Sequence, residues 1–202
     1  MMTADEQAGL AEAIREAESR TAGEIVVVVA DQASRYRSIP ILWALLAALA
    51  VPWPLIALTG LGPTRIFQIQ LLAALGLSAF LSWPSRRMVL VPRVIKHARA
   101  REAAAREFIR RGLTRTRGRT GVLIYVAMAE RYAEIVADTG IAGRAGPQVW
   151  RDIIRELTGA IRDGRAADGL LAAVRRSGAV LAEHAPPRPG DEDELPNKVI
   201  LL

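Results

Sequence analysis

The sequence contains no cysteine. Disulfides, thiolate metal centres and thiol nucleophiles are therefore excluded together. Histidine is nearly as scarce: His97 and His184 are the only two, too few for a histidine-rich metal site. Lysine is reduced to Lys96 and Lys198, so the net charge of +6 and the pI near 10.6 rest on arginine. A basic balance of this kind suits an anionic partner such as nucleic acid or lipid. Aromatic residues make up only 5% of the chain, however, and no basic patch interleaved with aromatics occurs. Nucleic acid is therefore not an expected partner. Equally missing are a G-x-x-x-x-G-K phosphate loop, a paired-aspartate D-x-D motif at a hydrophobic strand end, EF-hand spacing and any internal repeat.

Two stretches lack charge altogether. Ile39 to Leu58 reads IPILWALLAALAVPWPLIAL, and Ile66 to Trp83 reads IFQIQLLAALGLSAFLSW. Helices of roughly 18–20 residues just cross a hydrocarbon core of about 30 Å. The connection TGLGPTR is short and rich in glycine and proline, which predicts a helical hairpin. Pro52 and Pro54 are expected to kink the first span, while Gln68 and Gln70 lie near the start of the second. Trp83 suits an interfacial anchor, with Trp43 and Trp53 also marking the membrane. Arg35 and Arg37 precede the hairpin, and Arg86, Arg87, Arg93, Lys96, Arg99 and Arg101 follow it, against Arg65 alone in the loop. By the positive-inside rule both termini and the soluble sequence face the cytoplasm of an inner-membrane, multi-pass protein. The lipid bilayer is then a partner, and a membrane-protein partner is compatible with that placement. The sequence sets no oligomeric state.

The soluble sequence reads as one discontinuous domain, 1–38 with 85–185, interrupted by the insertion 39–84 and followed by a proline-rich, acidic tail, 186–202. Thr3 and Glu6 have capping-box spacing ahead of a helix over 4–20. The run EIVVVVA, Glu24 to Ala30, has no alternation, as a strand covered on both faces requires. A helix over His97–Arg111 closes at Gly112. Val122–Met128 predicts a second buried strand, and Tyr132–Asp138 a less buried one paired to it antiparallel across a short turn at Glu130-Arg131. The glycines 140, 143 and 146 predict a loop. Helices follow over 147–163, with Trp150, Ile153, Ile154, Leu157 and Ile161 on one face, and over Asp168–His184. The tail is expected to be extended, with Val199–Leu202 laid over the domain. The predicted fold is α/β, a small mixed sheet flanked by helices in an α/β/α sandwich.

TAGE over Thr21–Glu24 running into IVVVV, TRGRTGVLIYV over Thr116–Val126, Glu130-Arg131, AEIVAD over Ala133–Asp138, Gly140-Ile141 and ELPN over Glu194–Asn197 form an ordered series. This series resembles the TPM domain (TPM phosphatase, DUF477) family, in a membrane-bound bacterial subgroup with the hairpin inserted after the first strand. The resemblance implies the same α/β/α sandwich. It also implies a possible acid phosphatase activity, claimed for a plant thylakoid relative, calcium or another divalent cation as a cofactor, and for other relatives a part in membrane-protein maintenance.

Phosphoryl chemistry needs a nucleophile or metal-held water and positive charge for the phosphoryl oxygens. Candidate catalytic residues are Asp138, which closes one strand, Asp31, which follows another, and Arg119 in the preceding loop; candidate metal ligands are Asp138, Asp31 and Glu24. Asp31 and Asp138 would share a crevice if their strands end on one edge of the sheet. Each has a plainer role available: Asp138 as a turn or cap, Glu24 beside an arginine, and Arg115, Arg117 and Arg119 as a solvated or lipid-facing loop. The leading expectation is a membrane-anchored binding or scaffold module, with a metal-dependent phosphomonoester hydrolase as the alternative.

Overall fold

The computed structural model describes residues 2–36, 38–83, 88–187, 194–196 and 198–202. Arg37, Arg86 and Arg87 of the hairpin flanks, Asp191, Glu192 and Asp193 of the acidic tail, and Asn197 lie outside the described residues. The chain divides into two compact units, Met1–Ala33 with His97–Leu202, and Ser34–Lys96. The first unit thus includes the tail, and the second is wider than the uncharged stretches alone.

The first unit is built on a four-stranded sheet of order β3-β2-β1-β4. β1 (Ile25–Ala30) pairs parallel with β2 (Val122–Ala127), and β2 pairs antiparallel with β3 (Tyr132–Ala137). The sheet is mixed, as expected. Every residue of β1 and β2 is buried, and their side chains divide between two cores by strand alternation. Ile25, Val27, Val29, Val122, Ile124 and Val126 face one cluster; Val26, Val28, Ala30, Leu123, Tyr125 and Ala127 face the other. The unbroken β-branched run is the signature of that double coverage.

The first layer of helices packs on the face of Val27 and Ile124. It comprises α1 (Ala4–Glu18) and three helices from the C-terminal half. α1 opens with the complete Thr3–Glu6 capping box and buries Leu10, Ala13 and Ile14. After the hairpin helices, numbered α2 to α4 below, α5 (Arg93–Arg110) packs Ala100, Ala104 and Phe108 on the opposite face of the sheet. Gly112, at φ 79°, ends that segment in the left-handed conformation a glycine adopts most easily. α6 (Thr139–Ala145), α7 (Pro147–Arg162) and α8 (Ala166–His184) complete the first layer. α7 has Pro147 at its start and buries Trp150, Ile153 and Leu157 of the predicted face, while Ile154 and Ile161 are half-buried.

Two elements differ from the sequence expectation. The glycine-rich stretch expected to be a loop forms α6, capped by Asp138 and held by buried Ile141. The tail does not merely lie on the domain: Val199–Leu201 is β4, parallel to β1, with Val27, Val28 and Val29 opposite Val199, Ile200 and Leu201. Three residues are too few for periodicity to reveal a strand.

The second unit contains α2 (Ser38–Ala50), α3 (Pro52–Leu58) and α4 (Pro63–Leu81). The chain breaks at Val51, where Pro52 starts α3, as the prolines predicted. α2 and α4 pack together, with Pro40, Ala44 and Ala48 forming the buried stripe of α2. Gln70 borders an apolar groove of about 410 Å³ between them, whereas Gln68 is exposed. The base of the excursion is closed where the Tyr36 hydroxyl donates to the Lys96 carbonyl oxygen at 3.5 Å.

Two expectations follow. A Cβ on Gly178 in α8 would sit 2.5 Å from the Cβ of Ala17 in α1. Gly178→Ala is therefore expected to cost about 1–3 kcal/mol of stability through overpacking, read by urea unfolding. Burial first, then the charges of Glu130 and Glu107, with Arg106 opposing, push the Tyr125 phenol up to about 12. The neutral phenol is favoured in the folded protein, so its stabilising contribution is complete below the ordinary value of 10.0 and is lost as the pH climbs through that window. Tyr125→Phe is expected to flatten the decline of stability there, measured by unfolding at a series of alkaline pH values.

Candidate functional site

The acidic candidates lie on two different edges of the sheet. β3 runs antiparallel to β1 and β2, so its end returns to where they begin: Asp138 N–H donates to the Gly121 oxygen, and Val122 N–H to the Glu24 oxygen. Asp31 follows the far end of β1, where its carbonyl accepts from Ala129. Six strand residues at roughly 3.3 Å each set the two edges about 20 Å apart. The expected constellation of Asp138, Asp31 and Arg119 is thus not brought together, and Asp31 cannot share a metal with Asp138 and Glu24.

At the first edge, Asp138 is buried and caps α6: its Oδ1 accepts from the Thr139 N–H at 2.7 Å and from the Thr139 hydroxyl at 3.3 Å. Oδ2 is buried without a hydrogen bond, and the Arg119 guanidinium lies 3.7 Å from it. Arg119 has φ 53° and donates to the Thr114 oxygen at 2.9 Å, while its own carbonyl accepts from Gly140. Gly140 is needed here because a Cβ would meet the Gly118 oxygen at 2.2 Å. Thr116 and Thr120 are both buried and bond backbone oxygens, of Leu113 and Ala22 respectively. Their hydroxyl protons are committed to loop structure.

Glu24 and Glu194 explain how the tail arrives. Glu24 Oε1 accepts from the Glu194 N–H at 3.0 Å, and the Glu194 carboxylate accepts in turn from the Arg117 N–H at 3.3–3.4 Å. Glu24 thus holds a backbone amide of the tail. Glu194 carries a role that sequence reasoning missed, and its place in the ELPN series was the only signal for it.

A divalent cation such as calcium takes six to eight oxygen ligands. Glu24 and Asp138 are separated by a strand, each with one oxygen committed to a backbone amide, and Asp31 lies on the far edge. Among the described residues, no three acidic or histidine side chains gather to hold a metal. The candidate set therefore does not fit a calcium cage. Asp138 with Arg119 is one carboxylate beside one guanidinium, its uncommitted oxygen buried.

The far edge holds a cavity of about 620 Å³, at the carboxyl ends of the parallel strands β1 and β4. Asp31 and Asp168 border it, with Val29, Met128, Leu170 and Leu201 supplying apolar wall. In open sheets this is the edge where ligands gather. Asp31 and Asp168 are exposed, whereas Glu130 is buried: its Oε1 accepts from the Ala33 N–H at 3.1 Å, fixing the chain as it leaves β1.

If Asp138 serves as a cap, Asp138→Ala is expected to cost about 1 kcal/mol and Asp138→Asn only a few tenths, because asparagine caps equally well. The ion pair adds little, since Arg119 is more than half exposed. Thermal or urea unfolding of the two variants checks this; equal losses would contradict the cap.

The family model of the TPM domain matches residues 85–180. No curated protein matches the chain. Among solved structures, the NMR structure of BA42 protein from the psychrophilic bacterium Bizionia argentinensis is similar, with a TM-score of 0.62 and 20% identity, over 100% of this chain and 96% of that one. The matched span ends inside α8, and β1 and β4 lie outside it while pairing into the same sheet. Over residues 85–180 this chain is similar to the TPM domain family.

Proposed function

We propose that the chain is a membrane-anchored TPM-domain protein that acts as a binding or scaffold module at the cytoplasmic face of the inner membrane. The observation that supports this is the character of the hairpin. Ser38–Leu58 and Pro63–Leu81 are long and apolar enough to cross a bilayer, and few of their residues are covered by protein: 11% of the most apolar stretch of the first and 0% of that of the second are buried. Trp53 and Leu58 are about 80% exposed. A contiguous apolar surface of this size is not stable in water and marks a membrane or partner contact. Ten Leu, Ile and Val residues between Ile39 and Leu58 favour insertion by about 3–6 kcal/mol, with no charge to oppose it. Arg35, Arg93, Lys96, Arg99 and Arg101 on the flanks, against Arg65 in the connection, favour a cytoplasmic soluble unit.

The binding-module reading is preferred to the hydrolase because the catalytic set drawn from sequence is divided between two sheet edges. A carboxylate with one arginine supplies neither a metal cage nor an acid–base pair.

Because the chain has no cysteine, single-cysteine variants report topology cleanly. An impermeant maleimide is expected to label Gly60→Cys in intact cells and Ser19→Cys only after lysis; the reverse pattern would overturn the orientation. A generic phosphate ester, assayed with and without calcium, magnesium or manganese, is expected to show no turnover that Asp138→Asn removes. Turnover lost in that variant would restore the hydrolase.

A further inference from the structure

We propose that the cavity at the carboxyl ends of β1 and β4 receives a short extended peptide carrying an apolar side chain beside an arginine or lysine. This gives the binding module a partner class, and it rests on that reading.

Volume comes first: about 620 Å³ is within the range of sites that enclose a ligand. The walls are apolar, and Gly164, Ala166 and Ala167 keep them low where the chain turns into α8. Charge then selects the sign of the partner. Four charged residues border the cavity: Glu6, Asp31, Arg165 and Asp168. The Glu6 carboxylate is engaged by the Thr3 N–H of the capping box, and Arg165 is paired with Asp163 at 3.0 Å. Asp31 uses only its backbone, donating to Leu202 and accepting from Ala129. The carboxylates of Asp31 and Asp168 have no hydrogen-bond or ion-pair partner among the described residues. An apolar hollow rimmed by two uncompensated carboxylates favours a cation with an apolar body and disfavours an anion.

The backbone argues for a peptide over a small amine. Among the described residues β4 is an edge strand, pairing with β1 alone. Leu202 both donates to Val29 and accepts from Asp31, so the peptide groups of Val199 and Leu201, one residue out of phase, face away from β1. An outward-facing strand edge is a template for an added strand, whose alternate side chains are placed on one face of the sheet. The edge runs into the cavity at Leu201, so a peptide laid beside β4 delivers a side chain to the hollow and its neighbour to the acidic rim.

The test uses the full chain in lipid nanodiscs and fluorescein-labelled pentapeptides VRLRV and VELEV, read by anisotropy. VRLRV is expected to bind at least about tenfold more tightly than VELEV. Replacing Asp31 and Asp168 together with asparagine is expected to abolish that preference. Leu201→Arg, at a position 44% exposed, is expected to block binding without unfolding the chain, which circular dichroism checks. Equal affinity for the two peptides would overturn the proposal, as would a preference that survives the double substitution. So would complete displacement by spermine with no effect of Leu201→Arg, which would leave only an acidic patch. Flotation of the same protein with liposomes separates the readings: intact flotation without peptide binding overturns the pocket alone, and peptide binding without flotation overturns the anchoring alone.

Discussion

Parallel pairing of β1 with β2 is the constraint on which the rest of the structure depends. Ile25 stands opposite Val122, and the register continues without a break to Ala30 opposite Ala127. Between the two strands the chain makes its apolar excursion and then forms α5. Closing a flexible loop of roughly ninety residues costs about 4 kcal/mol of chain entropy. Here the loop is not flexible: α2 packs on α4, and Tyr36 reaches the Lys96 carbonyl across the base. The hairpin therefore hands the chain back where a strand can still find its partner.

Once β1 and β2 are paired, both faces of the sheet must be covered, and the sequence supplies helices for each. α1, α7 and α8 cover one face, and α5 covers the other. Polar contacts fasten the tail close to where it joins the sheet. Glu24 holds the Glu194 amide, the Arg117 amide holds the Glu194 carboxylate, and Val199–Leu201 then reaches β1. Residues that look like catalytic candidates in a linear reading, Glu24 and Asp138 among them, are in large part the fasteners of the sheet's first edge.

Much of the fold is legible without coordinates because local and long-range signals agree. Thr3 and Glu6 form the box their spacing promised, Pro52 interrupts the first span, and Trp150, Ile153 and Leu157 fall on one buried stripe. β4 is not legible, since three apolar residues after a proline-rich stretch carry no period. α6 is masked by its glycines, whose low helix propensity is offset by the Asp138 cap and the burial of Ile141. The candidate site failed for a geometric reason. Asp31 and Asp138 each end a strand, but antiparallel β3 ends where parallel β1 and β2 begin, so two strand ends became two edges.

The central claim, a single sheet assembled from segments on either side of the apolar hairpin, is tested most directly by hydrogen exchange on the full chain in nanodiscs. The amides of Ile25–Ala30 are expected to exchange as slowly as those of Val122–Ala127 and to be released with them in one cooperative opening as denaturant is added. Rapid exchange across Ile25–Ala30 while Val122–Ala127 stays protected would contradict the account.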